Sequence, residues 1–322
     1  MKNLLKKKQF GILMVVVLIS VVLSLMSDVF LRSDNIIDVA KGNVVLGIMA
    51  LGMLPVLISG GIDLSVSATI ALCAVIAGKF MVRFGGNLFV IFLVCIVVGA
   101  LIGFANGIII SKLKIPPIVT TLGTMSIVLG CVMLYTNGDW ITNLPEWFKT
   151  YGSYKMFGLP IQILFLVLAC VVTWIMLRYT LIGRGIYAIG GSKSSAMRVG
   201  YNIDKIQIFI YMFCGAMTGV ASVVHTSIVQ QVDPNAFNGV ELNVISAVVI
   251  GGASTMGGSG TVLGTMLGVI LMSILKNGLV LAKIPTFWQK IVMGLIIVFA
   301  VSIDVINRKR EQNKLVRVDV EE

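Results

Sequence analysis

Asp63, Glu241 and His225 border or interrupt long apolar stretches of this chain. An ionisable group is costly there, so each needs a physical use. Asp63 stands in "ISGGIDLSVSA" (58–68), where Gly60 and Gly61 can break a helix and the carboxylate can accept N–H bonds from the start of the next. A helix cap is the first reading of Asp63; direct contact with a substrate is the second. Glu241 follows the polar run "QQVDPNAFNG" and opens an apolar run, as a cap or as part of an outer gate. His225, the sole histidine, lies near Thr226, Ser227, Gln230 and Gln231, either on a polar face or packed at a helix end. A second glycine-broken stretch, "GGASTMGGSG" (251–260), offers hydroxyls beside freed backbone. Broken helices persist at membrane depth only where protein or water meets that backbone. Ser59, Gly60, Gly61, Asp63, Glu241, Ser254 and Gly257 are therefore candidates for bordering a path through the molecule.

None of this amounts to catalysis. The sequence contains no H-E-x-x-H, no G-x-S-x-G and no Cys/His cluster, and Asp63 and Glu241 have no evident acid–base partner. No catalytic residue, metal site or bound cofactor is expected. The phosphate-binding pattern G-x-x-x-x-G-K-[ST] is also missing, since "AGKF" at Ala77 lacks both the upstream glycine and the following hydroxyl.

A third polar stretch, "YAIGGSKSSAMRVGYNIDK" (187–205), is basic and rich in small residues. Ser192, Ser194 and Ser195 offer N-caps and Gly200 a stop for a short helix, with Ala188, Ile189, Ala196, Met197 and Val199 along one face. Such a helix suits a groove in another protein; an ordinary solvated loop has the same composition.

The elements that carry these segments follow from hydropathy. The chain is 57% hydrophobic and 12% charged, with mean hydropathy +1.01, more apolar surface than a soluble domain can use. An all-α polytopic membrane protein with one membrane domain over 1–322 is expected. About ten transmembrane helices are predicted, near 10–30, 44–59, 64–82, 88–111, 118–135, 161–178, 206–229, 241–252, 261–280 and 288–306, with 44–59 and 241–252 short enough to be broken, re-entrant or wrapped by other helices. The lysine-rich start and the apolar run to about Met26 form a retained first span, since that run is too long for a signal peptide and no cleavage site follows. The net charge of +11 does not imply nucleic acid. Counting loops alternately places Lys2, Lys6, Lys7, Lys8, Lys112, Lys114, Arg178, Arg184, Lys193, Arg198, Lys205, Arg308, Lys309, Arg310, Lys314 and Arg317 on one side, and nine basic residues on the other. That asymmetry puts both termini in the cytoplasm.

The longest outer connection, 136–160, carries Trp140, Trp147, Tyr151 and Tyr154, which suit the water–lipid interface, and divides the chain into two halves of five spans. "NGIIISKLKIP" (106–116) is weakly echoed by "NGLVLAKIP" (277–285), on opposite faces in this topology; chance explains so short a match more readily than an inverted repeat. Gly99, Gly103 and Gly107 recur four apart, as do Gly215 and Gly219, and Gly260, Gly264 and Gly268, a spacing that lets helix backbones approach. The five cysteines fall inside apolar runs without ligand spacing and read as small buried hydrophobes.

"GRGIYAIGGSKSSAMRVGYN" resembles the cytoplasmic coupling segment of ABC importer permeases, specifically the permease subunits for ribose and related monosaccharides. Three further motifs follow the same order along nearly the whole chain: "ISGGIDLSVSA", "IPPIVTTLGTM" (115–125) and "NGVELNVISAVVIGGASTMGGSGTVLGT" (238–265), with "FWQKIVMGLIIVFAV" at Phe287 completing the set. Departures fall at Ser192, Met197, Ser67 and Val240, where the pattern has Asn, Ala, Gly and Tyr. The resemblance implies an ABC importer permease fold in a bacterial cytoplasmic (inner) membrane. It also implies a partner ATPase, holding ATP and Mg, that grips residues 187–200, with Tyr187, Gly190, Gly191, Ser192, Ser195, Ala196, Arg198 and Gly200 as the coupling residues. An external substrate-binding protein and a second permease copy or paralogue complete the expected assembly. Nucleosides or branched-chain amino acids are the rival solutes. An ion-coupled transporter would need more titratable groups within the spans, and a noncatalytic membrane assembly is the remaining rival class.

Overall fold

The computed structural model describes residues 2–289, 291–295, 298 and 302. Eight helices there are long and apolar enough to cross a membrane: α1 (Lys2–Met26), α2 (Ser33–Ile58), α3 (Val66–Phe84), α4 (Leu88–Lys112), α5 (Pro117–Thr136), α7 (Gln162–Tyr179), α10 (Ile203–Val229) and α12 (Val262–Leu281). Four shorter helices are α6 (Glu146–Ser153), α8 (Leu181–Gly191), α9 (Lys193–Arg198) and α11 (Val240–Ile250), and the chain is helical again at 286–289 and 291–295.

Two expected spans change. The helix predicted at 44–59 is not short: it begins at Ser33, because its polar first turns are held. Asp34 lies favourably at the N-terminus, and Asn35 exchanges side-chain amide bonds with Asn277 of α12 at 3.2 and 2.9 Å. The span predicted at 241–252 is the 11-residue α11, about 16 Å long and too short for a hydrocarbon core of roughly 30 Å. The last predicted span, 288–306, and the basic C-terminal tail lie mostly outside the described residues.

The interior is organised around α2, whose residues from Gly47 onward are all buried. That stretch is apolar all round, and neighbouring helices surround it. α1, by contrast, turns Phe10, Leu18 and Leu25 outward, as a lipid-facing helix must. The tightest pairing joins α4 and α10. A methyl on Gly99, Gly103 or Gly107 would collide with the α10 backbone, and one on Gly215 or Gly219 with that of α4. The four-residue glycine spacing is therefore a seam between these helices. Gly251, Gly264 and Gly268 make an equivalent seam between α11 and α12.

The long connection at 136–160 is structured. α6 buries Phe148 completely, a two-residue hairpin pairs β1 (Lys155–Met156) with β2 (Leu159–Pro160), and Ile141 forms an antiparallel bridge with Val232. Gln162 donates to the Gly152 carbonyl at 2.8 Å and to Ser227 Oγ at 3.3 Å, fastening the loop to the end of α10. The echo between 106–116 and 277–285 has a local structural counterpart. Lys114 (φ 58°) and Lys283 (φ 55°) both take the left-handed conformation, each two residues before a proline. Cys73, Cys95 and Cys214 are buried, but Cys131 is exposed on α5, and all five cysteines are free.

Candidate functional site

The basic segment folds into two short helices. Thr180 Oγ1 accepts from Gly183 N at 2.9 Å and starts α8. Ser192 then ends α8, its N–H bonding to the Ala188 carbonyl, and starts α9 by accepting from Ser195 N at 3.2 Å. Gly200 stops α9 as the sequence suggests: at φ +92° its N–H bonds to Met197 O, and Tyr201 N bonds to Ala196 O, a Schellman closure. The apolar residues do not share one face. Ile189 and Ala196 are buried against the body, whereas Met197 is 64% and Val199 78% exposed. Gly191, Lys193, Ser194, Ser195 and Arg198 are exposed beside them. The free face is thus an apolar tip flanked by cations.

Beneath this pair, segments far apart in sequence meet. Tyr187 Oη donates to the Gly260 carbonyl at 2.8 Å, and burial pushes its phenol above the ordinary value. Gly258 N donates to the Ile58 carbonyl at 2.8 Å. Gly190 lies against both: an added Cβ would overlap Ile58 O and Gly258 N. Gly257, at φ +92°, completes the contact. A Cβ there would lie 2.9 Å from Gly190 O and 3.0 Å from both Gly190 Cα and Gly60 N. Ser254 is buried and holds its loop by accepting from Met256 N at 3.0 Å, and Ser59 donates to the Val56 carbonyl at 2.7 Å.

Asp63 lies just beyond, in the connection between α2 and α3. Its Oδ1 accepts from Ser65 N at 2.9 Å and Ser65 Oγ at 2.6 Å, setting the turn from which α3 rises. Burial raises the carboxyl to about 6, against the pull of the Ser65 bonds. A buried chain extends from it: Asn106 donates to Ser65 Oγ at 2.9 Å and accepts from Thr124 Oγ1 at 2.6 Å. Gly61 is backed by the Tyr211 hydroxyl, 2.5 Å from where a Cβ would stand.

Of the path candidates, Ser59, Gly60, Gly61, Asp63, Ser254 and Gly257 belong to this inner cluster. Glu241 does not: it sits in the first turn of α11, at the end away from Gly251, with a buried Oε2 that has no hydrogen-bond partner among the described residues. His225 stacks edge-on against Phe237, 4.7 Å between ring centroids, a packing role. Asn106, Thr124 and Tyr211 escaped sequence reasoning. Their only local signal is a polar group within a mostly apolar helix, one of several such groups on α5 and α10. Among the described residues no group of three or more His, Cys, Asp or Glu could hold a metal.

The family described as "Branched-chain amino acid transport system / permease component" matches residues 35–301. Ribose import permease protein RbsC of Haemophilus influenzae is 35% identical over 301 residues, covering 92% of this chain and 93% of that protein. The Bacillus subtilis protein of the same name is 34% identical over 287 residues, 88% of each chain. Autoinducer 2 import system permease protein LsrC of Photorhabdus luminescens is 35% identical over 261 residues, 81% of this chain and 78% of that one. No solved structure matches.

Proposed function

We propose, for a chain that belongs to the branched-chain amino acid transport system permease family, the role of membrane subunit in an ATP-driven importer of ribose or a related monosaccharide. The observation that carries this is the capped α8–α9 pair, which offers Met197, Val199, Lys193 and Arg198 to a partner. A separate cytoplasmic ATPase holds ATP and Mg and grips this tip. Both termini face the cytoplasm, and the membrane is the bacterial inner membrane. An external binding protein delivers solute to the outer loops, and a second permease copy or paralogue closes the path.

The permease itself supplies shape and hydrogen-bonding groups to the solute. For a neutral sugar, hydroxyl and amide dipoles serve better than fixed charge, and the chain from buried Ser65 and Asn106 to half-buried Thr124 fits that need. By its resemblance to sugar permeases, the "SGGIDLS" segment (59–65) favours a sugar, and the matches to the ribose-named relatives cover nearly their whole length. A relative named for autoinducer 2 reaches the same 35% identity over a smaller share of the chain, so that solute is the second reading.

The test is uptake of labelled ribose into vesicles holding the permease, with the ATPase and binding protein added. ATP-dependent accumulation that disappears without the ATPase supports the role. Accumulation of autoinducer 2 or leucine in place of ribose reassigns the solute, and uptake with no ATPase refutes the mechanism.

A further inference from the structure

Three stretches that stand about 70 and 130 residues apart converge on one point of contact, and glycine is what permits it. Gly190 near the end of α8 touches the last carbonyl of α2 and the loop between α11 and α12 simultaneously. The two breaks are also tied to each other, through Gly258 N to Ile58 O at 2.8 Å, and to α8 through Tyr187 Oη to Gly260 O at 2.8 Å. These contacts run backbone to backbone, except for that one hydroxyl. Backbone cannot yield as a side-chain tip can, so a displacement of α8 is passed on with little slack.

We propose that Gly190 is a positioning residue for transport: it locks the cytoplasmic helix pair to both glycine breaks, so that the pair, the end of α2 and the 251–260 loop move as one rigid block. The block ends at the Gly60–Asp63 turn, from which α3 rises and the Ser65–Asn106–Thr124 chain begins. A push on Met197 and Val199 therefore reaches the buried polar chain without crossing a flexible joint. This rests on the transport reading above, and it adds which contact carries the motion. Neighbouring Gly191 has nothing within 4 Å of an added Cβ. The requirement for glycine thus belongs to position 190 and not to the Gly–Gly pair.

The test uses the assembled transporter in lipid vesicles. Spin labels at residues 194 and 256, both exposed, in a Cys131→Ser background, report the width of the block with and without a non-hydrolysable ATP analogue. A rigid block keeps that distance within about 2 Å between the two states, while labels at 194 on the two permease copies move relative to each other. A change in the 194–256 distance beyond that, or no motion of the copies at all, overturns the proposal. As a second measurement, Gly190→Ala and Gly257→Ala lower labelled ribose imported per ATP hydrolysed by about tenfold, per assembled complex. A merely structural role lowers the amount of complex and leaves that ratio unchanged, and an unchanged ratio in both variants also overturns the proposal. Failure of the unaltered complex to import ribose speaks against the solute assignment alone, because the label distances need only ATP analogue and ATPase.

Discussion

Gly107→Ala tests the glycine seam most directly. In the native chain an added Cβ at this site would stand 2.6 Å from the Ile208 Cα, and ordinary contact begins at 3.4 Å. The α4–α10 pair must therefore open locally by about 0.8 Å, and neither partner atom is a movable side-chain tip. A gap of that size forfeits roughly a third of each affected atom-pair attraction, itself about 0.15 kcal/mol. Over on the order of 40 pairs along the seam, that is about 2 kcal/mol. Alanine also favours the helix over glycine by up to about 1 kcal/mol. The comparison variant is Gly123→Ala on α5, where nothing lies within 4 Å of the new methyl. The propensity gain is common to both variants, so their difference isolates packing. Thermal unfolding in lipid nanodiscs should place Gly107→Ala roughly 3 °C below Gly123→Ala. If the two variants melt within about 1 °C of each other, the reading of these glycines as a close-contact seam is wrong.

Asn106→Ala removes the link between Ser65 and Thr124 and should cost about 1–2 kcal/mol in an unfolding titration, the range for hydrogen bonds between membrane helices. Asp63→Asn should flatten the dependence of stability on pH. Burial raises the carboxyl from 3.8 to about 6 in the folded chain, so its contribution is fully present below 3.8 and is lost as pH rises through about 6. Wild type should therefore lose on the order of 2 kcal/mol relative to Asp63→Asn between pH 4 and pH 7, measured by melting at each pH. Met197→Glu should leave the melting temperature unchanged, because the side chain is exposed, and abolish capture of the partner ATPase, which Met197→Leu retains. Equal capture by both variants would place the docking tip elsewhere.

Much of this was legible along the chain because each signal is local. Apolar run length gave most of the spans, Ser192 and Gly200 marked the ends of α9 through their own capping chemistry, and four-residue glycine spacing announced close helix packing. Hydropathy misjudged α2, whose polar first turns are satisfied by Asn277 of α12, more than 200 residues away. It marked 241–252 as short, which the 11-residue α11 bears out, but left its exact end open, since an apolar run does not record where neighbouring glycines stop a helix.

By itself, then, the sequence determined a many-helix membrane protein with two glycine breaks and a basic, capped segment between spans, because helix period, hydrophobicity and cap chemistry are properties of neighbouring residues. Only the tertiary structure decided that Gly190, Ile58 and Gly258 share one contact while Gly191 stands clear, and that Asp63 turns toward Ser65. Those outcomes depend on where distant backbones come to rest against one another. Two adjacent glycines look identical in a string of letters and differ only in what surrounds them.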